Sequence, residues 1–238
     1  MTSSAPAPGI YTPVPTVFPK DNETIDYAAN LAHVQFLHQN GIHGFVVMGS
    51  IGENTHLEAT ERYSVVKNIT SNISGLPSLY NWNTKVSDGT VLPVLVYIYP
   101  GVSNNTHILP KTVVRISKHK NIVGCKFSYD NVAHCTTIAS QMAGEDFHVY
   151  NGLGHAFLST LVMECHGTID GISGVFPRIY VNLWDHKRTK LQRVASKCEE
   201  KLCEFGIISI KRTYFEVVKV GVPWWGRAPL NHDQPQGT

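Results

Sequence analysis

A lysine stands near the end of an apolar run, NIVGCKFS over residues 121–128, where a charged side chain needs a reason. Side chains alternate along a strand, so Ile122, Gly124 and Lys126 share one face while Val123, Cys125 and Phe127 share the other. Burying an ammonium disfavours its charged form and lowers its pKa. The free amine so produced is a nucleophile able to form a Schiff base with a carbonyl compound. The competing reading is a strand-end lysine that carries its charge to water along the alkyl stem. Twelve histidines raise the question of a metal, yet the chain has no HExxH or HxH, and His33, His38 and His134 fall on expected helices, where a solvated or half-buried imidazole is ordinary. The expectation is no metal.

Stepping from Lys126 to the elements that must hold it, 238 residues with 42% hydrophobic content can bury the core of one α/β domain. A formal charge of +2, with no basic cluster interleaved with aromatics, gives no nucleic-acid footprint. The five cysteines are odd in number and lack paired metal spacing, which suits free thiols in a reducing compartment. The opening MTSSAPAPGIYTPVPTVF has neither a signal-peptide core nor an arginine, and no run approaches a membrane span, so an intracellular chain without a clear transit peptide is expected.

A proline-punctuated strand is expected over 10–18, then an amphipathic helix over 21–40 with Ile25, Ala28, Ala29, Ala32, Phe36 and Leu37 on its apolar face and Gly41 as its stop. A strand over 42–48, the turn GSIGEN and a helix over 57–68 with Glu58 and Glu61 in its first turn make a βα unit. Residues 71–92 are polar, turn-rich and without period. Strands follow over 93–99, 121–128, 147–150 and 168–172, with helices over 110–119, 132–142, 157–165, 177–186, 191–205 and 208–219. The alternation predicts a parallel sheet. A barrel is favoured over an open sheet because no GxGxxG or P-loop follows a strand, and because the polar candidates lie at strand C-terminal ends.

GSIGENTHLEATER over 49–62, YIYPG over 97–101, NIVGCKFS, GTIDGISGVFP over 167–177 and the PWWGRAPL tail resemble, in order, the dihydrodipicolinate synthase/N-acetylneuraminate lyase family of class I aldolases. The resemblance implies a TIM (β/α)8-type barrel with C-terminal helices, one domain over 1–238 with the barrel at 9–187 and helices and tail at 188–238. It also implies a homo-oligomer that binds a small 2-oxo acid and needs no cofactor, with a mitochondrial or cytoplasmic location. Lys126 matches the Schiff-base lysine, Tyr97 the proton-shuttling tyrosine and Ser50 the hydroxyl relaying protons to it. Packing for Tyr97 and helix capping for Ser50 are the bland alternatives. The amides of Ser50, Ile51 and Gly52 would form a donor nest for the substrate carboxylate. Ile51 departs from the family's usual threonine, serine or asparagine, losing a hydrogen bond worth about 0.5–1.5 kcal/mol. Ser128 would touch the distal half of the substrate, and Gly152 and Ser173, small residues at strand ends, would let it approach closely.

Eight βα units take about 250 residues, and only six strands are legible. About two βα units are expected to be missing between residues 66 and 93, with coding sequence absent from the chain as written favoured over a reduced barrel. Three activities fit: a 4-hydroxy-2-oxoglutarate aldolase or a 2-keto-3-deoxy sugar-acid aldolase; dihydrodipicolinate synthase; or an inactive barrel fragment. The turn GVSNN after YIYP lacks the arginine that the synthase carries nearby, which puts an aldolase first.

Overall fold

The computed structural model describes residues 5–19, 24–73, 78–80, 93–186 and 197. Among the described residues seven parallel strands form one sheet: β1 (Gly9–Pro13), β2 (Gly44–Val47), β3 (Ser78–Tyr80), β4 (Val94–Ile98), β5 (Ile122–Phe127), β6 (His148–Asn151) and β7 (Gly167–Ile169). Their spatial order is β3-β2-β1-β7-β6-β5-β4. The first and last strands are therefore neighbours, with Gly9 opposite Gly167 and Tyr11 opposite Ile169. That adjacency marks a barrel wrapped on itself rather than an open doubly wound sheet. Among the described residues its two edges are β3 and β4. All six expected strands are present, and the seventh, β3, comes from the stretch whose sequence shows no strand period; it pairs with β2 through Val46 opposite Leu79. The expected helices over 191–205 and 208–219 lie outside the described residues.

The helices alternate with the strands: α1 (Tyr27–Gln39), α2 (Ala59–Asn72), α3 (Pro110–Ile116), α4 (Val132–Gln141), α5 (Phe157–Val162) and α6 (Pro177–His186). α1 begins later than expected because Asp26 caps it, its side chain accepting from the Ala29 amide at 2.9 Å. It ends where Gly41 takes φ +84°, a conformation suited to glycine. Polar Asn30 and His33 join Ala29, Val34 and Leu37 on its buried face. Asn30 belongs there because its amide donates to the Pro15 carbonyl at 2.5 Å and accepts from the Val17 amide at 3.0 Å, satisfying the irregular chain after β1. α2 starts with a capping box in which the Glu61 carboxylate accepts from the Glu58 amide at 2.8 Å.

Two apolar layers separate sheet from helices. One gathers Phe18, Val34, Leu37, Phe45, Val65, Phe157 and Tyr180; the other Val113, Cys125, Phe127, Ile138, Phe147 and Val149. Burying one Leu or Phe from either contributes about 1.5–3 kcal/mol. Inside the barrel Tyr11 and Tyr150 meet edge to face at 5.6 Å, packed with Ile169. Their hydroxyls donate to the Ala7 and Pro6 carbonyls at 2.8 and 2.6 Å, so the segment before β1 closes the barrel floor. Among the described residues no helix is long and apolar enough to cross a membrane.

Candidate active site

Lys126 lies in β5 directly between Tyr97 of β4 and Tyr150 of β6. Paired positions of neighbouring strands point to the same face, so these three side chains share the barrel interior with Tyr11 and Ile169. Phe127 and Cys125 lie in the outer apolar layer. The Lys126 Nζ stands 4.6 Å from the centre of the Tyr97 ring. Burial lowers the Lys126 amine to about 8, against the opposing pull of the Asp170 charge. Roughly a tenth of such an amine is neutral at pH 7, about two to three hundred times the fraction of an ordinary lysine.

Burial raises the Tyr97 phenol, and Tyr99 adds to the effect, while a hydrogen bond with the Ser128 side chain works the other way. Tyr97 therefore keeps its proton at neutral pH and can donate it. Ser128, two residues beyond the lysine, is buried and couples to Tyr97. Gly152 follows β6, and its amide donates to the Phe127 carbonyl at 2.5 Å. A Cβ there would sit 2.0 Å from Ser128 Oγ, 2.7 Å from the Phe127 carbonyl oxygen and 2.9 Å from Lys126 Cε. A glycine is thus required where β5 and β6 deliver the lysine and its neighbouring hydroxyl.

The GSIGEN turn is framed by two left-handed non-glycine residues, Met48 at φ 64° and Glu53 at φ 53°. Such conformations cost of order 1–3 kcal/mol each and gather at functional sites. Ser50 is exposed on this turn and Ile51 is half-buried. The Gly52 amide donates to the Gly49 carbonyl at 2.9 Å, which leaves the Ser50 and Ile51 amides for the expected carboxylate nest. The hydroxyl that acts on the Tyr97 phenol is that of Ser128, a partner the sequence did not suggest.

Ser173 also differs from expectation. It is fully buried, its hydroxyl donating to the Asp170 carbonyl at 2.9 Å and lying 2.8 Å from the Thr12 hydroxyl. Its side chain braces the end of β7 against β1 and leaves no open hydroxyl. Lys126, Tyr97, Ser128 and Gly152 are brought together. Asp170, which acts on Lys126, escaped the sequence reading; an acidic residue inside the apolar GTIDGISGVF was the signal for it. Among the described residues no group of three or more His, Cys, Asp or Glu could hold a metal ion.

Residues 74–231 match the dihydrodipicolinate synthetase family. The chain is 26% identical to an L-threo-3-deoxy-hexylosonate aldolase of Hypocrea jecorina over 287 residues, covering 93% of this chain and 90% of that one. It is 25% identical over 259 residues to a protein of Emericella nidulans named "Probable 4-hydroxy-2-oxoglutarate aldolase, mitochondrial", covering 86% and 83% respectively. Both alignments are longer than this chain of 238 residues, so the relatives carry segments it lacks. In fold it resembles the Sulfolobus 2-keto-3-deoxygluconate aldolase crystallised with D-KDPG, with a TM-score of 0.78, 18% identity and coverage of 94% and 92%. It also resembles YagE, a prophage protein of E. coli K12 crystallised with pyruvate, with a TM-score of 0.76, 22% identity and coverage of 97% and 94%. With well over half of its length matched by the family, and with the barrel described above, the chain belongs to the dihydrodipicolinate synthetase family.

Proposed function

We propose that this carbon–carbon lyase is a 2-oxo acid aldolase working through a Schiff base at Lys126, and that it cleaves 4-hydroxy-2-oxoglutarate to pyruvate and glyoxylate. The observation that carries the reading is a half-buried lysine amine, lowered to about 8, lying over a protonated tyrosine inside a barrel. The neutral amine attacks the C2 ketone. Tyr97 protonates the departing carbinolamine oxygen, water leaves, and an iminium forms. The Tyr97 phenolate then takes the proton of the C4 hydroxyl, the C3–C4 bond breaks, and its electron pair moves into the iminium as an enamine while glyoxylate departs. Protonation at C3 and hydrolysis release pyruvate and restore the lysine. Ser128, bonded to Tyr97, steadies the phenol as its proton leaves and returns. The exposed Ser50 and the Ser50 and Ile51 amides would hold the C1 carboxylate.

A 2-keto-3-deoxy sugar acid is the second reading, favoured by the similarity to the Hypocrea jecorina enzyme. A homo-oligomer and a mitochondrial location belong to the same proposal, the latter suggested by the name of the Emericella nidulans relative. Borohydride reduction with pyruvate, followed by peptide mapping, should place the adduct on Lys126. Lys126→Ala should abolish it, and so should Lys126→Arg, whose guanidinium stays protonated. Trapping that persists in Lys126→Ala would sink the reading. Turnover of 4-hydroxy-2-oxoglutarate measured beside a 3-deoxy-hexulosonate separates the two substrates.

A further inference from the structure

At the rim where β1 and β6 begin, two connecting loops are built alike. At the end of α1 the Gly41 amide donates to the His38 carbonyl at 3.0 Å and the Ile42 amide to that of Leu37 at 3.2 Å. At the end of α5 the Glu164 amide donates to the Leu161 carbonyl at 3.2 Å and the Cys165 amide to that of Thr160 at 2.9 Å. Both are helix stops of the Schellman kind, with Gly41 and Glu164 left-handed at φ 84° and 62°. A histidine then leads into the next strand: His43 precedes β2 and His166 precedes β7.

Each histidine holds the neighbouring strand twice. The His43 amide donates to the Ile10 carbonyl at 3.0 Å, and the Ile10 amide donates back to His43 Nδ1 at 3.2 Å. The His166 amide donates to the Val149 carbonyl at 2.8 Å, and the Val149 amide donates back to His166 Nδ1 at 3.2 Å. In a regular parallel ladder the returning amides would reach the carbonyls two residues earlier, those of Gly41 and Glu164. Those residues serve the helix stops, and a ring nitrogen takes the carbonyl's place. Unlike a carbonyl, it can bind a proton, and a protonated Nδ1 is a donor with no lone pair left for an amide.

Both rings are half-buried, so solvent protons reach them. Burial lowers His166 to about 4, and the His148 ring of β6, stacked on it at 4.1 Å, works the same way because two imidazolium ions repel. Burial also lowers His43, while the Asp185 carboxylate of α6 favours its charged form; Trp184 of the same helix faces the ring at 5.5 Å. Around His148 stand the Pro6 carbonyl, to which its Nδ1 donates at 2.6 Å, and the Tyr150 ring at 6.4 Å; Asp146, two residues earlier, accepts from the Ala5 amide at 3.3 Å.

We propose that His43 and His166 are a pair of acid-released clasps on the barrel rim: each neutral ring closes one strand seam through its Nδ1, and protonation there frees the Ile10 amide of β1 from β2 and the Val149 amide of β6 from β7. An open ring titrates near the ordinary 6.5 and a closed one lower, so the open clasp binds more protons. Opening therefore gains by up to about tenfold per pH unit as pH falls below 6.5, until about 4 at His166. Val149 precedes Tyr150, which lies opposite Lys126, so the release begins one residue from the floor of the candidate site.

The test is residue-resolved hydrogen exchange of the full chain between about pH 4 and 7, each rate referred to that of an open amide at the same pH. Protection at Ile10 and Val149 should fall with pH by up to about tenfold per unit, while the Cys125 amide within β5 holds. Ring nitrogen shifts of the wild type should show both histidines as the neutral Nε2–H tautomer at pH 7. His43→Asn and His166→Asn place an amide oxygen where Nδ1 stands, so each should keep the neutral-pH protection of its own partner amide and lose the acid slope. His43→Leu and His166→Leu remove the acceptor and should lower protection at that amide about two- to tenfold at every pH. Flat protection in the wild type, an Nδ1–H tautomer, or an acid slope that survives in the Asn variants overturns the proposal. An equal fall at Cys125 overturns it too, by tracing the effect to unfolding of the whole barrel. Should an Asn variant not fold, the wild-type tautomers and the slopes at Ile10 and Val149 against Cys125 still decide.

Discussion

Replacing Gly152 by alanine inserts one methyl group where β5 and β6 are tightest, and the surroundings decide what gives way. The backbone there is not left-handed, so the effect is steric rather than conformational. The new carbon would lie 2.0 Å from Ser128 Oγ, which can turn aside only by giving up its bond to Tyr97. It would lie 2.7 Å from the Phe127 carbonyl oxygen, part of the β5 backbone, which cannot yield without dragging the lysine strand. Lys126 Cε, at 2.9 Å, is the flexible partner and would be pushed off its resting surface. Overpacking of this kind costs about 1–3 kcal/mol. If that cost falls on the reacting arrangement, imine formation slows about 5- to 160-fold, at 1.36 kcal/mol per tenfold. Rapid mixing with pyruvate followed by borohydride quench gives the imine rate, and a thermal melt of the same sample gives the global cost. An alanine variant that forms the imine within about twofold of wild type, with an unchanged melt, would refute the claim that Gly152 is the surface seating the lysine.

Tyr97→Phe should slow both imine formation and turnover by about 10² to 10⁴, the range for positioned acid–base groups, while the borohydride adduct still accumulates on Lys126 at long times; wild-type rates for both steps in stopped-flow traces would make Tyr97 a packing residue. His33 is fully buried, its Nε2 3.1 Å from the Gly174 carbonyl, and burial lowers it to about 4 from an ordinary 6.5. The unfolded chain therefore binds more protons between those values, and stability present above pH 6.5 is lost as pH falls through 4. Melts across that window should show the decline, and His33→Gln should flatten it; an identical slope in the variant would assign the acid lability elsewhere.

Lys126 was legible in the sequence because alternation within an apolar run fixes its face, Tyr97 only through the family resemblance of YIYPG, and parallel register then sets them side by side. The helices with a regular apolar face were equally clear, apart from their ends. α1 starts at its Asp26 cap and not at the earlier polar residues, a choice made by a side-chain hydrogen bond that periodicity does not carry. β3 was invisible because three residues are too few to show a period; it exists through pairing with β2. Ser173 looked like an open strand-end residue, yet its partners, Thr12 and Asp170, belong to β1 and to the chain after β7. Contacts that join distant strands decided its fate, and those contacts leave no local mark. Ser128 was singled out for the substrate's far end, and only the β4–β5 register revealed that it reaches Tyr97.

The β1–β7 seam also sets an order of events in time. β4, β5 and β6 are sequential neighbours joined by short crossovers, so Tyr97, Lys126, Ser128 and Gly152 come from one continuous stretch that can assemble by near-range contacts. The GSIGEN turn sits in the other half, β1 to β3, and among the described residues the two halves join along the β1–β7 seam, where Gly9 lies opposite Gly167. Bringing together residues so far apart in the chain is slow, because loop-closure entropy is lost before the contact rewards it. On a ribosome the N-terminal half must wait for β7 to emerge. The amine that would attack a ketone is thus built early and locally, while the amides that would hold its carboxylate arrive last, with closure of the seam.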